Sequence, residues 1–162
     1  MKQEKLRHFH YSGNTLGRES VEQLSEIFDW QFPNNLKSLV LSKVKTNYVT
    51  LTKLTEYMCK MENLEKLVMQ DLSLEDTLAP CHLGDPNFSQ KECEDHKIGK
   101  NLLKFVDSNE NIQNLQLINC KLNPSIMYKI CQKLEMNQNL QNISFRNNVL
   151  RPERMDPFLM DF

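Results

Sequence analysis

An eleven-residue pattern recurs five times along this chain, and it leaves few architectures open. The copies are "LRHFHYSGNTL" from Leu6, "LKSLVLSKVKT" from Leu36, "LEKLVMQDLSL" from Leu64, "IQNLQLINCKL" from Ile112 and "LQNISFRNNVL" from Leu140. Each opens on an aliphatic residue and carries apolar or aromatic residues at its fourth and sixth places. The central part alternates with period two, as a short strand with one buried face does. The ninth place holds Asn14, Val44, Leu72, Cys120 and Asn148. Asn or Cys there can satisfy backbone groups of the following loop through its side chain. That bonding is expected to be weaker or absent at Val44 and Leu72.

Between the copies the chain reads as helix. "NYVTLTKLTEYMCKMEN" sets Leu51, Leu54 and Met58 at steps of three and four, and "PSIMYKICQKLEMNQN" does the same with Met127, Ile130 and Leu134. Pro124 with Ser125 predicts a helix start. Segments from Ser20 and from Ile98 read similarly. Asn35, Asn63, Asn111 and Asn139 each precede a copy, where left-handed backbone would suit a helix-to-strand turn. Alternating strand and helix predicts a parallel sheet. The copies begin 30, 28, 48 and 28 residues apart, so one unit is about 20 residues over the period.

The pattern resembles the leucine-rich repeat, and its period resembles the ribonuclease-inhibitor-like subclass. The resemblance implies an α/β fold in one domain spanning residues 1–162. That fold would be a leucine-rich-repeat solenoid, a short horseshoe arc with parallel strands on the concave side and helices on the convex side. Its third, fifth and seventh places would then point outward on the concave face. The candidate partner-binding residues there are His8, His10, Ser38, Val40, Lys66, Val68, Gln70, Asn114, Gln116, Ile118, Asn142, Ser144 and Arg146, with Ser12 and Ser42 in the same columns. Such a face is polar around a small aliphatic centre, which suits protein contact.

The surplus of the long unit falls in residues 73–97, read as an inserted rim loop. It carries Cys81, His82, Cys93 and His96, residue types that bind zinc. Adjacent Cys81 and His82 rarely reach one metal together, so the expectation is a solvated loop without metal or other cofactor. The tail, residues 151–162, carries Phe158, Leu159, Met160 and Phe162. They are candidates for contact with a neighbouring subunit or for a self-capping fold over the last copy. A third reading is that the chain is a piece of a longer repeat protein.

Composition narrows the function classes. Twenty basic against 21 acidic residues give a net charge of −1. That balance makes no electrostatic case for nucleic acid or an anionic membrane. Neither a membrane-length apolar run nor a secretory leader is legible. The five cysteines are read as reduced thiols in an intracellular, cytoplasmic setting. No glycine-rich phosphate loop, nucleophile elbow or H-E-x-x-H motif occurs, and a small-molecule ligand is not expected. The expected function is a non-catalytic protein–protein interaction scaffold or accessory subunit of a larger assembly. The alternative is a regulatory module acting on a partner enzyme, of the GTPase-stimulating or ubiquitin-ligase substrate-receptor type.

Overall fold

The computed structural model describes residues 6–30, 35–74, 94–120, 122 and 124–148. Seven strands and four helices follow one another there: β1 (His8–Ser12), α1 (Arg18–Trp30), β2 (Ser38–Ser42), β3 (Lys45–Thr46), α2 (Tyr48–Met58), β4 (Lys66–Gln70), β5 (Ser73–Leu74), α3 (Glu94–Ser108), β6 (Asn114–Ile118), α4 (Pro124–Leu134) and β7 (Asn142–Ser144). The fold is α/β. β1, β2, β4, β6 and β7 form one parallel sheet in chain order, and each begins at the third place of its copy of the pattern. The register keeps like places opposite one another, with His8, Ser38, Lys66, Asn114 and Asn142 in a single row.

Alternation makes this sheet two-faced. Leu39, Leu41, Leu67, Met69, Leu115 and Leu117 are sealed into the core with Leu51, Leu54 and Met58 of α2 and Leu102 and Phe105 of α3. In α4 the buried stripe is Ile126, Ile130 and Leu134, while Met127 is only half-buried at its border. Pro124 does open that helix, where its missing N–H and fixed φ cost nothing. Helix α1 starts two residues earlier than the sequence predicts, at Arg18.

The loop bounds also need correcting. Ser73 and Leu74 pair in parallel with Lys45 and Thr46, and α3 already begins at Glu94. Residues 75–93, with Cys81, His82 and Cys93, lie outside the described residues, as does the side chain of His96. The tail residues Phe158, Leu159, Met160 and Phe162 lie outside them too.

The small β3–β5 ladder answers the expectation about Val44 and Leu72. Both side chains are in the core, 1% and 3% exposed. Their turns bond through backbone instead: Lys45 N–H donates to Asn14 O at 3.1 Å and Ser73 N–H to Val44 O at 2.9 Å. An aliphatic side chain here adds apolar burial while the adjoining peptide groups pair with the next unit. Where the ninth residue is Asn148, its side chain makes the bonds. Oδ1 accepts from Cys120 N–H at 2.9 Å, and Nδ2 donates to Leu117 O and Phe145 O.

Left-handed backbone falls elsewhere than expected. Positive φ occurs at Gly13, Lys43, Asp71, Asn119 and Asn147, the eighth place of every copy, where strand turns out of the sheet. Asn63, Asn111 and Asn139 are not among these positions. The asparagines before the strands act through their amides. Asn111 Nδ2 donates to Glu62 O at 3.1 Å and Asn139 Nδ2 to Glu110 O at 2.9 Å, each tying a turn to the one before it. Two residues upstream, Asn109 and Asn137 do more of this work. Asn109, 1% exposed, donates to Met61 O and Leu64 O and accepts from Asn111 N–H. Asn137 accepts from Asn139 N–H and Leu140 N–H, and its Nδ2 lies 3.5 Å from Asn109 O.

Candidate interaction surface

The sheet face opposite the core carries the third, fifth and seventh places of the pattern. In β2 and β6 these residues are half-buried while the places between them are buried, so the expected alternation is present. Val68 is more enclosed than a surface residue, 7% exposed yet outside the core cluster. It is opposed in register by Val40 on one side and Gln116 on the other. A β-branched side chain flanked by two neighbours on a pleated surface loses most of its solvent contact. The centre of the face is therefore apolar: Val40 and Val68, with Ile118 half-buried beside them on the seventh row.

Polar side chains around that centre are held in place. Ser42 Oγ donates to Ser12 Oγ at 2.8 Å, and His10 Nε2 lies 3.4 Å from the same Ser42 oxygen. Gln116 Nε2 donates to Asn114 Oδ1 at 3.0 Å. Ser144 Oγ is buried with no hydrogen-bond partner among the described residues. At the seventh-to-eighth-place rim, Asp71 receives Asn119 Nδ2 on one carboxylate oxygen and Gln70 Nε2 on the other. Those two amides, helped by the Lys43 charge, hold the Asp71 carboxyl below its ordinary pKa. Ser38, Lys66, Asn142 and Arg146 complete the rows, and Lys66, Asn142 and Arg146 are exposed. His8 and His10 share the exposed face of β1.

At the other edge Ile143, read from the sequence as facing the core, is 46% exposed, while Leu140 and Phe145 pack partly against the core. β7 is the edge strand of the sheet, and no helix follows it among the described residues. The equivalent Leu67 and Leu115 are fully buried.

Two other places were candidates for chemistry. An open cleft of about 450 Å³ runs between the ends of α3 and α4, lined by Val106, Glu110, Lys133, Met136 and Asn137 among others. Lys133 in it is already paired with Asp107 at 2.6 Å. The thiols are the second. Cys120 donates to Met69 O, and burial pushes its pKa up to about 12, so it is held as a neutral thiol. No group of three or more His, Cys, Asp or Glu side chains able to hold a metal occurs among the described residues. Nor is any helix among them long and apolar enough to cross a membrane.

Sequence reasoning missed Asn109 and Asn137. Their signal is the same 28-residue spacing, three places before the last two copies. No family model matches the chain, and neither a curated protein nor a solved structure matches it.

Proposed function

We propose that this chain is a short leucine-rich-repeat solenoid of the ribonuclease-inhibitor type, working as a non-catalytic scaffold or accessory subunit that binds a protein partner through its sheet face. The observation that carries this reading is the apolar centre of that face, Val40 and Val68, ringed by preset polar side chains. An apolar core with a polar rim is the make-up of protein interfaces. Hydrogen-bonded side chains lose little further entropy on binding, which favours contact. The chain-order parallel sheet and the shared register support the repeat assignment. Catalysis would need a nucleophile or general acid–base pair at a cavity. The Ser12–Ser42–His10 cluster sits on an exposed face, not in a cavity.

The test is affinity capture of the tagged chain followed by mass spectrometry, run with the wild type and with Val40→Asp. The aspartate buries a charge at the apolar centre of any complex. Circular dichroism on the variant checks that the fold is kept. A stable multi-subunit complex lost on Val40→Asp supports the scaffold reading. Capture of a GTPase or a ubiquitin-ligase core instead would favour the regulatory module. An unchanged set of partners with Val40→Asp would refute the sheet face as the interface.

A further inference from the structure

The chain carries slightly more acidic than basic residues, 21 against 20, yet no carboxylate stands at the third, fifth or seventh place of any copy. The fixed charges at those places are Lys66 and Arg146, both exposed, and neither forms an ion pair with a described residue. Two acidic groups that adjoin these rows in sequence are already engaged. Glu65 is paired with Lys37 at 2.7 Å, and Asp71 holds the Asn119 and Gln70 amides at the rim. The two cations are also diagonal to one another. Lys66 is on β4 at the third place, and Arg146 is two units further at the seventh. Two inter-strand steps and four residues along the chain put them about 16 Å apart, on a diagonal through Gln116 with Val68 to one side and Ile118 to the other. We infer that the sheet face takes an acidic protein segment, with two carboxylates about 16 Å apart on either side of an apolar stretch. This rests on the reading of the sheet face as the interface.

A two-charge, apolar-centred site favours a protein segment over a polynucleotide, whose affinity comes from many phosphate contacts. In a helix the required separation corresponds to about eleven residues, which also return to the same face. The probe is therefore a fluorescein-labelled amphipathic helical peptide with Glu at that spacing and Leu between, compared with its Glu→Lys counterpart by fluorescence anisotropy. The Glu peptide binds the wild-type chain and the Lys peptide does not. Lys66→Glu with Arg146→Glu, both exposed and free of the core, weakens binding about tenfold or more, and added salt weakens it too. No binding of the Glu peptide, equal binding of the Lys peptide, or tighter binding of a single-stranded oligonucleotide overturns the inference. Captured natural partners separate the two readings. Loss with Val40→Asp but not with the charge reversal keeps the interface and rejects the acidic segment; no loss with either variant rejects both.

Discussion

Gly99, in the second turn of α3, offers the most direct test of how closely the helices pack. A β-carbon added there would overlap Ile126 Cδ1 of α4 outright and sit 2.8 Å from Cγ1 and 3.1 Å from Cγ2. Two opposed effects act on Gly99→Ala. Alanine improves helix propensity by about 0.5–1 kcal/mol. The overlap forces the Ile126 side chain, only 8% exposed, off its rotamer or pushes α4 away, at about 1–3 kcal/mol. The structure therefore predicts a net loss of roughly 1 kcal/mol. Ile126→Ala removes the three clashing carbons and by itself costs about 2–4 kcal/mol. In that background Gly99→Ala should turn stabilising by about 0.5–1 kcal/mol, because only the propensity term remains. The coupling between the two sites should thus reach about 1.5–2 kcal/mol in a double-mutant cycle measured by urea denaturation. Stabilisation by Gly99→Ala in the wild-type background, or additive single effects, would refute the close approach of α3 and α4.

Further outcomes follow from the turns and thiols. Asn109→Ala strips partners from the Met61 and Leu64 carbonyls and the Asn111 N–H, so stability should fall by about 2–4 kcal/mol in urea titrations. An effect below that of Asn111→Ala, whose side chain is more exposed, would contradict the buried role. Lys43→Gly relieves a left-handed side chain at φ 52° and should raise the urea midpoint modestly, by about 0.5–1 kcal/mol equivalent. Asp71 has its pKa lowered in the fold, so its contribution is present above the ordinary carboxylate range and disappears as pH falls through the lowered value. Asp71→Asn should flatten that acid limb of the stability–pH curve by lowering the neutral plateau toward its acid level. Cys120, with a folded pKa near 12, contributes stability that is full below the ordinary thiol value of 9.0 and lost as pH rises toward 12. In native alkylation followed by peptide mapping, exposed Cys131 should react well before buried Cys120.

The main sheet was legible almost residue by residue. Period-two alternation bounded by apolar residues needs no tertiary information, and β1, β2, β4 and β6 occupy the third to seventh places of their copies. The outward columns were legible for the same reason, since every second side chain shares a face. What escaped depends on neighbours. Val68 reads as an outward residue, yet it is buried between Val40 and Gln116 in register. Asn63, Asn111 and Asn139 have the right chemistry for a left-handed turn, but that geometry sits at the eighth place and even at Lys43. An amide reaching the previous turn's carbonyl cannot be told from a turn-former by local sequence. The β3–β5 ladder is two residues long, below the length at which alternation means anything. Ile143 misled because alternation gives the face of a residue but not its place on the edge strand of the sheet.

One consequence of the register concerns chain length. Lys66 and Asn114 pair as squarely as Ser38 and Lys66, although 48 residues separate the first pair and 28 the second. Closing the longer stretch costs only about 0.5 kcal/mol more. Spacing along the chain and spacing in the sheet are thus decoupled between Leu74 and Glu94. Adding or removing a few residues in that interval would change the closure cost by less still.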